Sequence, residues 1–180
     1  MFSWDLIIGN EACTVDGKRL RQALSTFPTG VCIVTTMGAD GKREGMTINS
    51  FASVSLSPPL ILWSIRDDAR SADAFIATRG FAINMLGVRH RELAMHFARP
   101  APDKFSAFED SFVPGLRGVP VLADAMASYE CTTYSRHQEG DHTILVGRVD
   151  HFVSRDMPPL MFHAGKLGTL QELAAAETMA

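Results

Sequence analysis

Between residues 45 and 62 the chain reads GMTINSFASVSLSPPLIL. Taken with the two-residue period of a pleated strand, Met46, Ile48, Ala52, Val54 and Leu56 fall on one face, interrupted by Ser50. This predicts a core-facing side. The opposite face carries Thr47, Asn49, Phe51, Ser53, Ser55 and Ser57. A solvated strand face ordinarily carries long charged side chains, whereas this one offers short hydroxyls, one amide and one aromatic. By its residues alone this face reads equally as a polar outer barrel strand or as a surface of small neutral donors and acceptors with the backbone reachable behind them.

Working outward, Pro58 and Pro59 punctuate the stretch before LILWSIR (60–66), which reads as another strand. Upstream, VCIVTTM (31–37) is a β-branched strand, and GADGK (38–42) is a hairpin loop with an Asp-Gly turn signal. Residues 16–27 place Leu20, Ala23, Leu24 and Phe27 at helical spacing, and Pro28 ends the run. Downstream, residues 71–80 predict a short helix with Ser71 or Asp68 near its start and Gly80 as its stop. FAINMLG (81–87) is strand-like, and residues 89–98 are helical with Leu93, Ala94 and Phe97 on one side. The Pro- and Gly-rich residues 99–120 predict a long ordered loop. Two further strands, 126–136 and 143–155, flank the turn HQEGDH (137–142), LMFHAGKLGTL closes the fold, and QELAAAETMA is a short helical tail. Six or seven strands with few helices predict one domain over 1–180, mainly β, built as an antiparallel barrel with peripheral helices.

Composition bounds the function. The chain has 180 residues, 46% hydrophobic and 21% charged, with a net charge of −3, so neither nucleic acid nor an anionic membrane surface is an expected partner. No apolar run approaches the length of a membrane-spanning helix. The opening MFSWDLIIGNEACTV has an early acidic residue and no basic stretch, which makes a poor signal peptide and points to a cytoplasmic protein. Cys13, Cys32 and Cys131 are widely spaced without a CxxC, so they read as small hydrophobes rather than a disulfide framework. Neither GxGxxG after a strand, nor GxxxxGK[ST], nor GxSxG occurs. The six histidines lack HExxH spacing or a nearby Cys pair, so no metal site is expected.

FPTGVCIVTT, then GMTINSFASVSLSPPLIL, FAINML, DKF and GDHTILVGRV, taken in order from about Leu20 to Leu170, resemble the short-chain flavin reductase family. That resemblance implies an FMN-binding split barrel, typically the NAD(P)H:flavin oxidoreductase component of a two-component monooxygenase. It implies that flavin, FMN or FAD, lies along Thr47, Ile48, Asn49, Ser50, Ser53, Val54 and Ser55, with Pro28, Thr29 and Gly30 bordering the place where nicotinamide and flavin meet. For the flavin phosphate it points to Arg70 and Ser71, and an exposed pair with Asp67 or Asp68 is the other reading of Arg70. It gives Lys104 a phosphate and Phe105 the ring edge, against a plainer reading of both as loop staples. Gly140, Asp141 and His142 match the family's motif on the nicotinamide side, for NADH or NADPH, although by themselves they are a polar hairpin. Where the family often has an aromatic after its last Gly-basic pair, this chain has Gly165-Lys166-Leu167.

The expected function is hydride transfer from NAD(P)H to flavin, with diffusible reduced flavin serving a partner monooxygenase, and with a homodimer as the working form. Two other readings stay open: a split barrel with tightly held flavin that reduces another acceptor, such as a ferric complex or cobalamin, and a non-catalytic flavin-binding module. Transfer between two bound cofactors needs no protein nucleophile, which accounts for a sequence rich in binding groups and poor in reactive ones.

Overall fold

The computed structural model describes residues 15–172. Helix α1 (Gly17–Ser25) is started by Asp16, whose side chain accepts hydrogen bonds from the Lys18 and Arg19 amides. Strands β1 (Thr29–Gly30), β2 (Cys32–Met37), β3 (Arg43–Ile48), β4 (Ala52–Leu56) and β5 (Pro59–Arg66) follow, then α2 (Ala72–Ala77), β6 (Gly80–Met85) and α3 (Arg91–Ala98). The second half supplies β7 (Phe112–Pro114), β8 (Pro120–Leu122), the long β9 (Ala127–Glu139) and β10 (His142–Ser154), and a closing hairpin of β11 (Met161–His163) and β12 (Lys166–Gly168).

Seven strands form one antiparallel sheet in the order β3-β2-β6-β9-β10-β5-β4, flanked by a small sheet β1-β11-β12 and the pair β7-β8. Its two edges, β3 and β4, are neighbours in the chain, joined only by residues 49–51. In a flat sheet, six spacings of about 4.8 Å would hold those edges about 29 Å apart. The link from Ile48 to Ala52 reaches at most about 14 Å. The sheet therefore curls until its edges meet at that end. Ser50 fastens the junction: its hydroxyl accepts the Ser64 N–H and donates to the Ser64 carbonyl, both at 3.1 Å.

The core has two layers, and β2 shows why its run is apolar throughout. Cys32 and Val34 point into one buried cluster with Ile48, Trp63, Phe75, Phe81 and Leu145. Val31 just before the strand, and Ile33 within it, point into a second with Leu93, Phe97, Phe105, Phe112 and Leu160. Phe97, Phe105 and Phe112 interlock with ring centroids 5.0–5.5 Å apart. Gly45 lets α3 approach β3 this closely, since a Cβ there would stand 2.8 Å from the Phe97 ring. Residues 99–120 are the long ordered loop expected, stiffened by short 3-10 turns and the β7-β8 pair. Arg43 holds that loop down with two hydrogen bonds to Glu109, at 2.9 and 2.6 Å, and its guanidinium lies 4.9 Å from the Phe105 ring centroid.

Three expectations need correction. Ala52, Val54 and Leu56 do not continue the core face of Met46 and Ile48; they are exposed, Leu56 at 96%. The link at 49–51 resets the alternation, a register shift between Ser53 and Ser55 disturbs it again, and β4 is an edge with nothing packed over it among the described residues. α1 buries none of its residues, so Leu20 and Leu24 stand exposed, as does Phe27 just beyond. α2 ends before Thr78, and Gly80 begins β6 instead of stopping a helix, while Ser71 makes no side-chain cap. Cys32 and Cys131 are buried as free thiols, and burial pushes both thiols up to about 12. Cys13, the first 14 residues and the tail beyond 172 lie outside the described residues.

Candidate functional site

The end of β3, the exposed side of α3 and the β11-β12 hairpin enclose a cavity of about 790 Å³. Val31, Ile48, Ala94 and Phe162 give it apolar walls, and Thr47, Asn49, Arg91 and Lys166 supply its polar groups. Thr47 is partly committed, since its hydroxyl donates to the Ala94 carbonyl at 2.7 Å. Asn49 is different. Its amide is exposed and makes no hydrogen bond among the described residues, although it stands where strand pairing stops. Behind it a second cavity of about 300 Å³ is bordered by Pro28, Thr29, Gly30 and Phe51, and both cavities share Val31 and Asn49. The Thr29 hydroxyl, buried in that wall, also has no hydrogen-bond partner among the described residues. Apolar walls with uncommitted short polar groups along one seam fit a large flat ring with a polar edge, as a flavin has.

The rest of the 47–55 segment divides. Ser50 is spent on Ser64, Ser53 is exposed on β4, and the Ser55 hydroxyl accepts the Ser57 amide. Val54 is 49% exposed on the same edge. None of Ser53, Val54 and Ser55 lines either cavity within one chain.

Arg70 has the environment a phosphate would want. Asp67 accepts from Gln138 and Thr143, and Asp68 pairs with Arg66 at 2.5 Å, so neither acid holds Arg70, which is exposed and unpaired among the described residues. Ser71 is buried, with its hydroxyl 3.9 Å from the Met46 sulfur. The readings of Lys104 and Phe105 as ligand contacts are not supported. Phe105 is 1% exposed inside the aromatic cluster, and the Lys104 ammonium donates to the carbonyls of Gly45 at 3.0 Å and Phe97 at 2.8 Å. They staple the long loop to β3 and α3. Burial lowers the Lys104 pKa, an effect opposed by Glu44 and reinforced by Arg70.

Gly140, Asp141 and His142 stand at the tip of the β9-β10 hairpin. The strands run on to Glu139 and resume at His142, leaving a two-residue turn in which Gly140 takes φ +64°. His142 Nδ1 lies 2.7 Å from the Asp141 carboxylate. A carboxylate can only accept, so Nδ1 carries the proton and Nε2 is left for a ligand. The tip lines neither cavity within one chain.

Arg91, Met95, Ala98 and Phe162 in the larger cavity escaped the sequence reading. Arg91, Ala94, Met95 and Ala98 repeat at helical spacing, a second face of α3 beside the one that carries Leu93 and Phe97. Among the described residues no group of His, Cys, Asp and Glu could hold a metal ion, and no helix is long and apolar enough to cross a membrane.

A family model described as flavin reductase like domain matches residues 24–171. The chain belongs to the flavin reductase like family. The reductase subunit of stachydrine N-demethylase from Rhizobium meliloti is 37% identical over 155 residues, which cover 86% of this chain and 66% of that protein. This flavin reductase-like chain thus spans just under two-thirds of that relative's length. The NADH-dependent FMN reductase of Agrobacterium fabrum is 40% identical over 154 residues, 85% of this chain and 86% of its own. The NADH:FAD oxidoreductase of Streptomyces globisporus, solved with NAD and FAD fragments, superposes with a TM-score of 0.80 at 36% identity over 87% of this chain and 95% of its own. The curled antiparallel sheet is accordingly the split barrel of the flavin reductases.

Proposed function

We propose that this chain is an NADH-dependent flavin reductase that passes a hydride from NADH to FMN or FAD and releases reduced flavin to a partner monooxygenase. The observation that carries this reading is the uncommitted Asn49 amide at the seam of two apolar-walled cavities. A bound flavin would supply the electron sink. The protein's share is binding and alignment: Ile48 and Val31 wall the ring space, Asn49 and Thr47 address its polar edge, and Pro28 and Thr29 border the neighbouring chamber. Arg70 is the group of choice for the flavin phosphate, and the Asp141-His142 pair for the nicotinamide side.

The working form in this reading is a homodimer. Leu20, Leu24, Phe27, Val54 and Leu56 are exposed apolar groups on α1, just beyond it, and on β4, and a second copy is the cover they call for. It would also bring Ser53–Ser55 and the hairpin tip, which line no cavity within one chain, to a shared site.

The test is loss of NADH absorbance with purified protein, with and without FMN, FAD or riboflavin. The reading expects turnover that requires added flavin and saturates with it, and the best substrate ranks FMN against FAD. Turnover without added flavin, by protein that purifies yellow, would mean a tightly held flavin. Flavin binding without turnover on either nicotinamide would mean a binding module.

A further inference from the structure

Arg91 stands on the rim of the larger cavity, and its guanidinium is held by Glu172, with Nη2 2.8 Å from Oε2. Glu172 has a second partner. Its Oε2 accepts the Thr169 N–H at 3.0 Å, and the Thr169 hydroxyl accepts the Glu172 N–H at 3.0 Å. The two residues form a reciprocal capping box that opens the helical turn at 170–172. Both side chains of the ion pair are about half exposed, at 47% and 58%, and exposed pairs of this kind hold weakly. Lys166 lines the same cavity, its ammonium has no partner among the described residues, and no carboxylate lines the cavity.

The result is a largely apolar chamber with two cations among its lining groups, one of them lent to a carboxylate from outside it. Resting on the flavin reductase reading, we infer that Arg91 and Lys166 bind a phosphate group of the nucleotide cofactor seated in this cavity, and that Glu172 is the internal counterion this phosphate displaces. A guanidinium meets a phosphate with parallel, charge-assisted hydrogen bonds, and burial of the attached ring in the apolar chamber delivers that phosphate at high effective concentration. When Arg91 turns to the ligand, Glu172 keeps both bonds to Thr169. The exchange therefore breaks one weak ion pair and leaves the helix start intact.

Two ligands carry the chemistry: the pyrophosphate of NADH, which leaves the flavin phosphate to Arg70, and the phosphate monoester of FMN, which would take that role from Arg70. Binding of FMN and riboflavin by flavin fluorescence, and of NADH and reduced nicotinamide riboside by equilibrium dialysis, separates them in wild type, Arg91→Gln and Glu172→Gln. Arg91→Gln is expected to weaken the phosphorylated member of one pair about tenfold and to leave its phosphate-free partner unchanged, as loss of a charged hydrogen bond does. Glu172→Gln, which keeps the capping box, is expected to tighten the same ligand about threefold by removing the competitor. The pair that responds identifies the phosphate. Equal shifts for both members of each pair, no shift at all, or weaker binding in Glu172→Gln would overturn the exchange. Because wild-type turnover is scored separately, a failed exchange in an active reductase leaves the proposed function standing, whereas a wild type that binds neither flavin nor NADH removes both.

Discussion

Residues 45–56 are treated in opposite ways in their two halves. Met46 and Ile48, on β3, pack against the barrel interior, with α3 and the long loop stacked on the other face through Gly45, Phe97 and Phe105. Ala52, Val54 and Leu56, on β4, have similar hydrophobicity and meet solvent. The difference lies in what the chain places over each half. The β3 half is covered by a helix that its glycine admits and a loop that Arg43, Lys104 and Phe105 pin down. The β4 half is covered by nothing within the described residues. One half is finished by the chain itself, and the other is left open within the described residues.

The finished half breaks most visibly at its staple. Phe105→Ala removes a fully buried ring from a three-ring cluster, and the expected loss in denaturant unfolding is about 3–4 kcal/mol, as for other buried aromatics. A stable Phe105→Ala protein with poor flavin binding would instead restore Phe105 to the ligand. On the open half the expectation reverses. Leu56→Asp should leave the circular dichroism unchanged while weakening self-association at least about tenfold, because a carboxylate is costly to bury in an apolar contact. Light scattering that found the same mass for Leu56→Asp and wild type would show that β4 is not the covered surface.

Much of this division was legible in the residues, and the illegible part has a physical cause. The hairpin turns and the strand run 31–37 are local facts that stand in the structure where their patterns pointed, and Thr47 and Asn49, whose polarity is equally local, line the larger cavity. The fates of Lys104 and Phe105 were not local. A Lys-Phe pair in a loop reads the same whether it faces a ligand or a carbonyl, and only the loop's path over β3 decides between them. The exposure of β4 escaped for a related reason. Period two gives alternation but not which neighbour exists, and the link at 49–51 resets the phase. Arg91 and Glu172 pair across 81 residues, a distance at which no pattern in one sequence speaks.

The seam between the halves gives the next expectation. Asn49→Ala removes an amide that holds nothing among the described residues, so stability should change by no more than about 0.5 kcal/mol. Flavin affinity should fall by about five- to tenfold, the range of one lost hydrogen bond to a ligand edge. Undiminished affinity in a fluorescence titration would remove the strand from the flavin site.

The smallest effect belongs to the hairpin tip, where stability and function separate most cleanly. The Asp141 carboxyl is held below the usual carboxylate range, first by its hydrogen bond with His142 and then by the imidazole's charge. A lowered carboxylate adds its contribution above the ordinary pKa and loses it as pH falls through the lowered one, so at neutral pH the Asp141 carboxylate is ionised and able to accept. Asp141 is fully exposed, however, and water screens what the pair gives the fold. His142→Ala should therefore leave the unfolding midpoint in place at neutral pH. If, as proposed, the tip meets the nicotinamide, the loss falls on binding and not on the fold. The expected consequence is a KM for NADH raised about three- to fivefold with flavin affinity unchanged, the scale of one exposed hydrogen bond. A variant that altered flavin affinity alone would move this pair to the flavin side of the site, and the tip would then belong with Asn49.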